Sequence, residues 1–404
     1  MALELRDAKA MAAHPNPIDV PVLGGRTFEL ATHTTARVLA VGADLKSAIC
    51  LYRGSEATLS RPIGDLSDPR NYRDFLRTIT QFEHDLGFTP DLIAHDLHPL
   101  HLATRFAMES GLPAMAVQHH HAHIASVMAD WRIDRPVIGV CCDGIGYGTD
   151  GSAWGCEVLC CENSGFSRLG TLAPFPLVGG DTAAIQTWRP AAALLRQAFN
   201  REWRGYMSDL RAPELKHPCI LSDADLEAAE RLMDRGIATP MTSSLGRVFD
   251  GVSFLLGLCT RNDHEGQAAI ALEKAAGVGD VDPYPYETEA QRDCVRMSAA
   301  PMIRALVRDR LAGEPVGHIA ARFHETIARM LAVSALLAVD RLGLYTVVLA
   351  GGCFANQRLI ARLEERLESR HVRVLSPRRV PCGDAGLALG QAVVAGAIHQ
   401  EKEP

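Results

Sequence analysis

The sequence lacks a basic excess, a long apolar run and a signal-peptide pattern. Its 41 Lys and Arg are outnumbered by 48 Asp and Glu, which gives a net charge of −7 over 404 residues. A protein that binds the nucleic-acid backbone normally carries a basic face, so this balance counts against nucleic-acid partners. No apolar run approaches membrane-spanning length, and residues 1–19 are polar. We therefore expect a cytoplasmic protein that binds neither nucleic acid nor membrane.

The sequence also lacks the cysteine spacings of zinc and disulfide proteins. None of its eleven cysteines forms a C-x-x-C pair, the spacing of zinc ribbons and redox motifs. Cys141–Cys142 and Cys160–Cys161 are adjacent pairs inside apolar runs. We interpret the cysteines as buried free thiols in a reducing compartment, so the functional site is sought among other residue types.

The order of predicted elements indicates an α/β protein. Apolar runs at 37–42 and 47–52 predict a hairpin, residues 183–275 are mainly helical, and strands and helices then alternate. Two α/β lobes with an active site between them are the expected organisation. We divide the chain into an arm at 1–30, an amino-terminal lobe at 31–175, and a carboxy-terminal lobe with a helical insertion at 176–404.

Four histidines in five positions form the most informative stretch. The four-residue spacing of His119 and His123 puts both on one face of a helix. Two imidazoles on one face suit zinc or iron(II), with a carboxylate from elsewhere to complete the site. Alternatively, the histidines belong to a helix N-terminus and make capping and core hydrogen bonds. The spacing fits both interpretations.

A glycine-rich segment at 143–151 follows a predicted strand at 137–142. Its four glycines and two aspartates can turn the backbone and present N–H groups to an anion. The dinucleotide-binding pattern is excluded because a strand, 153–161, follows instead of a helix. We expect a loop that holds phosphate or a carbamoyl group, with an ordinary hairpin turn as the structural alternative.

Two further glycine motifs, 349–356 and 381–386, precede predicted helices. Glycines before a helix N-terminus favour a phosphate or the ribose of a nucleotide, although Asn and Asp there also serve as helix caps. The second motif supplies Asp384. Lys46, in the first hairpin, is a cation suited to an anionic ligand or simply a solvated lysine.

Taken in order, these motifs resemble the carboxy-terminal part of the hydrogenase-maturation carbamoyltransferases, the HypF family. The same part is similar to threonylcarbamoyl-transferring tRNA enzymes and to antibiotic O-carbamoyltransferases. The resemblance implies a two-lobed α/β fold of the actin-like ATPase type, as in sugar kinases and heat-shock chaperones. The motifs that carry it are 94–99, 117–125, 143–151, 179–181, 242–250, 265–269, 351–356 and 384–391.

The resemblance also implies roles for individual residues. The implied metal ligands are His119, His123 and Asp384. Asp143, His120 and Lys46 are expected to act in catalysis, by handling protons or orienting the substrate. Residues expected to bind substrate or nucleotide are Gly144, Gly146, Gly148, Glu265, Gly351, Gly352 and Asn356.

The implied activity is conversion of carbamoyl phosphate. The products are carbamate and phosphate, or a carbamoyl group passed through carbamoyl-adenylate to a cysteine of a HypE-like maturation protein. This chemistry serves the Fe(CN)2CO cofactor of [NiFe]-hydrogenase and implies zinc or iron, with ATP or carbamoyl-adenylate as a further ligand. A small-molecule or tRNA carbamoyltransferase and a non-catalytic docking module are the alternatives.

The sequence departs from the family pattern in two respects. Full-length members carry acylphosphatase, zinc-finger and YrdC-like adenylating domains ahead of this part, and we expect none here, so a separate adenylating partner is implied. The usual Asn-Asp-Gly-Gly around the carboxylate is Gly383-Asp384-Ala385-Gly386. The candidate ligand is kept, whereas one amide side chain and one glycine are replaced.

Overall fold

The structure is a computed structural model that describes residues 25–211, 221–291 and 294–402. Most of the expected arm at 1–30 lies outside the described residues, and the first strand already begins at Arg26. Among the described helices, none combines the length and apolar character needed to cross a membrane.

The described chain is a mixture of strands and helices, which confirms the α/β class. The strands are β1 (Arg26–Ala40), β2 (Cys50–Leu59), β3 (Leu92–Asp96), β4 (Ala114–Val117), β5 (Val137–Tyr147), β6 (Ala153–Cys161), β7 (Phe166–Leu172), β8 (Phe175–Pro176), β9 (Met241–Thr242), β10 (Glu287–Gln291), β11 (Cys294–Ser298), β12 (Thr346–Ala350) and β13 (Arg373–Leu375). The helices are α1 (Pro69–Asp85), α2 (Leu102–Glu109), α3 (His119–Asp130), α4 (Thr182–Ile185), α5 (Trp188–Phe199), α6 (Trp203–Leu210), α7 (Asp223–Arg235), α8 (Leu245–Leu255), α9 (Gln267–Ala275), α10 (Ala300–Leu311), α11 (Val316–Leu342), α12 (Gln357–Glu368) and α13 (Leu387–Lys402).

The described residues form two compact units that differ from the expected lobes. Unit 1 combines residues 25–117 with residues 384–402, and unit 2 lies within 118–383. The boundary expected at residues 175 and 176 falls inside β8, which pairs with β9, and β9 pairs with β6. Strand pairing therefore keeps both sides of that position in one unit, and the chain divides after residue 117 instead.

Unit 1 is built on a four-stranded sheet in the order β2-β1-β3-β4. The predicted hairpin is confirmed, because β1 and β2 pair antiparallel, with Leu39 opposite Leu51. Helix α13 joins this sheet through the buried side chain of Gln391. Its Oε1 accepts the N–H of Gly42 at 2.8 Å, and its Nε2 donates to the carbonyl of Gly42 at 3.1 Å.

Unit 2 contains a nine-stranded sheet whose main path is β10-β11-β7-β6-β5-β12-β13. At its centre β5 pairs antiparallel with β6 and parallel with β12. Helix α3 approaches β5 closely at Gly139, where an added Cβ would lie 2.2 Å from Cδ1 of Ile124. A glycine is therefore needed here, and it brings the histidine-bearing helix directly onto the central strand.

Replacing Gln391 with alanine should destabilise unit 1, because the buried N–H and C=O of Gly42 would both lose their partner. We expect the free energy of unfolding to fall by roughly 2–4 kcal/mol, measured by urea denaturation. Gln400→Ala, at the exposed end of the same helix, is the control. It loses only exposed hydrogen bonds from Thr35 and should change the free energy of unfolding by less than about 0.5 kcal/mol. Equal effects of the two substitutions would contradict this role of Gln391.

Candidate metal centre

Helix α3 presents the histidine cluster and begins at His119. Its N-cap is Gln118, whose side-chain oxygen accepts the N–H of His121 at 2.9 Å. The amide Nε2 of Gln118 lies 3.1 Å from Nδ1 of His120. Since Gln118 caps the helix, the side chains of His119 and His123 are not needed as caps.

Strand β5 contributes the acidic residue, and it continues further than expected. Gly146 pairs with Trp154 and Tyr147 with Ala153, so the first half of the predicted glycine-rich loop belongs to a β-hairpin. The hairpin alternative was correct for this part of the backbone. The ladder is interrupted between Cys142 and Gly146, which is where Asp143 lies.

His119, His123 and Asp143 converge inside unit 2. The Nε2 atoms of the two histidines are 3.1 Å apart, and each lies 3.2 Å from Oδ2 of Asp143. All three residues are at most 6% exposed. Two imidazole nitrogens and one carboxylate oxygen therefore point at one buried position.

The donor set and its spacing fit a divalent cation. Zinc takes imidazole nitrogens and carboxylate oxygens at about 2.0–2.2 Å, so ligands of one tetrahedral ion lie roughly 3.3 Å from each other. The observed separations of 3.1 and 3.2 Å match this value. Iron(II) accepts the same ligand types.

The carboxylate of Asp143 is held on both oxygens. Oδ2 faces the two histidines, and Oδ1 accepts the N–H of Gly352 at 2.9 Å. Burial by itself raises the pKa of a carboxyl group, but the hydrogen bonds and charges of His119 and His123 outweigh it. They hold the pKa of Asp143 well below its usual value, so the residue is an anion suited to a cation.

The glycines around the cluster leave room for its neighbours. A Cβ on Gly146 would lie 2.6 Å from Cδ2 of His119 and 2.7 Å from Cε1 of His120. Gly351 has φ +95°, and a Cβ there would lie 2.4 Å from the carbonyl oxygen of Cys142. Around Gly144, in contrast, no atom would come within 4 Å of an added Cβ. Two of these three glycines thus serve packing, and only Gly144 borders open space.

Family models cover most of the chain. The HypF Kae1-like domain matches residues 33–130, and the second subdomain of the carbamoyltransferase Kae1-like domain matches residues 139–391. A carbamoyltransferase HypF homolog from Cupriavidus necator is 40% identical over 374 residues, which cover 89% of this chain and 91% of that protein. The chain belongs to the HypF carbamoyltransferase family.

Other HypF proteins are longer. Carbamoyltransferase HypF2 from Cupriavidus necator is 37% identical over 89% of this chain but only 46% of its own length. The crystal structure of full-length HypF in the phosphate- and nucleotide-bound form has a TM-score of 0.87 and 34% identity, covering 93% of this chain and 57% of that one. The chain therefore spans about half the length of these HypF relatives, whose Kae1-like α/β fold it shares.

The remaining predicted site residues of this HypF-family chain lie in varied surroundings. Asn356 caps α12 by accepting the N–H of Leu359 at 2.8 Å, and its Nδ2 donates to Nε2 of His324 at 3.1 Å. The capping alternative thus holds for Asn356. Glu265 is exposed in the turn before α9, and Lys46 is exposed in the turn between β1 and β2 of unit 1. Nucleotide or phosphate binding by these residues stays a prediction.

Two other histidines have structural surroundings. Burial lowers the pKa of His121 to about 4, so its neutral ring donates from Nε2 to the carbonyl of Glu162 at 2.7 Å. Burial likewise lowers the pKa of His324 to about 4, and its Nδ1 donates to the carbonyl of Ala320 at 2.7 Å. The core-hydrogen-bond alternative therefore applies to His121, whereas metal binding by His119 and His123 stays a prediction.

Gly146→Ala and Gly144→Ala should separate the packing role from an open backbone site. The Cβ at 146 must displace His119 or His120, so we expect Zn²⁺ affinity to fall roughly 10-fold or more. Gly144→Ala should leave Zn²⁺ affinity unchanged, because no atom lies within 4 Å of the added Cβ. The Zn²⁺ affinity of each variant is measured by chelator competition on protein with a native circular dichroism spectrum. Equal affinities in Gly146→Ala and Gly144→Ala would contradict this geometry.

Proposed function

We propose that this chain converts carbamoyl phosphate at a divalent-cation site in hydrogenase maturation. The observation that carries the proposal is the buried convergence of His119, His123 and Asp143. Membership of the HypF family supplies the substrate class, since its members are named carbamoyltransferases.

Asp384 is proposed as a fourth ligand. Within unit 2, Gly383 has φ +78°, and an added Cβ there would lie 3.5 Å from Cα of Gly352. Gly352 in turn donates its N–H to Asp143. Asp384 is the next residue after Gly383, and the resemblance to the HypF family implies that its carboxylate completes the ligand set. This set would hold zinc or iron, whose chemistry is to offset negative charge on phosphoryl oxygens.

The chain's own residues would then bind and orient the substrate. Asp143 is better suited to be a ligand than the proton acceptor first expected, because its carboxylate already contacts both histidines and Gly352. Gly144, with open space beside it, would face the carbamoyl phosphate, and Lys46 would bind its phosphate. Proton transfer is assigned to His120, which lies against Gly146 next to the cluster.

The simplest reaction is hydrolysis, in which water and carbamoyl phosphate give carbamate and phosphate. With a separate adenylating partner, carbamate and ATP would give carbamoyl-adenylate and pyrophosphate. The cysteine thiol of a HypE-like protein would then take the carbamoyl group and release AMP. We place this activity in the cytoplasm. Nucleotide binding would involve Glu265, Gly351, Gly352 and Asn356.

The alternatives are less well supported. A docking module has no need to bury two histidines beside a carboxylate, an arrangement that costs free energy unless the groups are paired. A tRNA substrate is disfavoured by the net charge of −7. The two relatives from Cupriavidus necator, each of which matches 89% of this chain, are both named as HypF proteins.

Phosphate release from carbamoyl phosphate tests the proposal, with Zn²⁺ or Fe²⁺ added and with or without ATP. We expect release that a chelator abolishes. His123→Ala and Asp384→Ala should each lower the rate at least ~100-fold, because each removes a ligand. His84→Ala removes an exposed histidine of α1 and is the matched control.

Two outcomes would count against the proposal. Absence of cation-dependent release under all these conditions would contradict the hydrolytic reaction. Full activity and full metal content in Asp384→Ala would remove Asp384 from the ligand set while leaving the other three residues in place.

A further inference from the structure

Asp130 makes an unusual set of contacts at the end of the histidine helix. It is the last residue of α3 and is 2% exposed. Its Oδ2 accepts three backbone N–H groups, those of Arg378 at 2.8 Å, Arg379 at 2.6 Å and Val380 at 3.0 Å. One carboxylate oxygen therefore holds three successive residues that lie 248 to 250 positions later in the chain.

Neighbouring contacts hold the same segment. Nε1 of Trp131 donates to the carbonyl of Ser376 at 2.7 Å. The guanidinium of Arg378 lies 4.6 Å from the centre of the Trp131 ring and donates to the carbonyl of Asp130 at 3.1 Å. Residues 376–380 are thus attached to the C-terminal end of α3, whose first turn carries His119.

The attached segment leads to the candidate metal centre. Sγ of Cys382 donates to the carbonyl of Gly351 at 3.2 Å, and Gly383 packs against Gly352. Gly352 is the residue whose N–H holds Asp143. The segment that Asp130 holds therefore ends next to the backbone that fixes a ligand carboxylate.

A negative charge at this place does not serve the helix. The C-terminal end of a helix carries a partial negative charge, so an aspartate there is electrostatically unfavourable. Charge-assisted hydrogen bonds from three N–H groups offset this and the cost of burial. The position of Asp130 is accounted for by the segment it holds, not by stabilisation of α3.

We propose that Asp130 is a positioning residue for the cation site. It holds residues 378–380 so that Gly383 stays beside Gly352, whose N–H fixes the carboxylate of Asp143. The cation part of this inference rests on the proposed function. An asparagine could still accept these N–H groups with its amide oxygen, but without the negative charge. Its NH2 would take the position of Oδ1, which has no hydrogen-bond partner among the described residues.

Asp130→Ala and Asp130→Asn test the inference in the full chain. We expect Zn²⁺ affinity, measured by chelator competition, to fall roughly 10- to 100-fold in the alanine variant and less in the asparagine variant. The backbone amides of residues 376–383 should exchange faster than in the wild type, and more so in Asp130→Ala than in Asp130→Asn. Asp134→Ala, at an exposed acid four positions away, should change neither quantity.

Loss of stability alone must be separated from loss of position. Leu306→Ala opens a cavity in the core of unit 2, on helix α10, outside the segment at 376–383. It should lower the Tm while leaving Zn²⁺ affinity unchanged. Wild-type Zn²⁺ affinity in a folded Asp130→Ala variant would overturn the inference, as would a loss of affinity in Leu306→Ala as large as in Asp130→Ala.

The two proposals fail in different ways. If the wild type takes up no Zn²⁺ or Fe²⁺, the proposed function and the cation part of this inference fall together, and amide exchange decides the positional part. Faster exchange at 376–383 in Asp130→Ala would support that part, and unchanged exchange would overturn it. If the wild type binds metal and Asp130→Ala binds it equally well, only the inference about Asp130 falls.

Discussion

The structure of unit 2 depends on pairing two buried imidazoles with one buried carboxylate. A carboxylate removed from water is costly unless charges and hydrogen bonds compensate it. Asp143 is compensated by His119, His123 and the N–H of Gly352. Each contact needs its partners within about 3 Å, so the helix, the central strand and the turn after β12 must all be held in place.

Close backbone approach meets that requirement. Gly139 lets α3 lie on β5, Gly146 gives room to the rings of His119 and His120, and Gly351 lets the turn after β12 pass the end of β5. Asp130 adds a contact at the other end of α3. Several motif glycines therefore act by having no side chain against a neighbour, and the cluster and its support are one packed arrangement.

Local patterns in the sequence predicted the elements well. The first hairpin, α3, β5 and the final alternation of strands and helices are present with shifts of a few residues. The predicted loop at 143–147 is strand, because cross-strand pairing with β6 outweighs the turn preference of its glycines. The sequence pattern does not predict β7, β10 or β11. It predicts a domain boundary at residues 175 and 176, whereas the described units divide after residue 117. These features depend on partners remote in sequence, so a local pattern does not carry them.

The sequence by itself determined the residue types of the site, the spacing of His119 and His123, and membership of the HypF family. Periodicity and motif order are properties of neighbouring residues, and for that reason they can be read along the chain. Only the tertiary structure decided that Asp143 faces both histidines, that Gly352 holds it from 209 positions away, and that Asp130 holds residues 378–380. Contacts of this kind depend on the path of the chain in space, which no local spacing specifies.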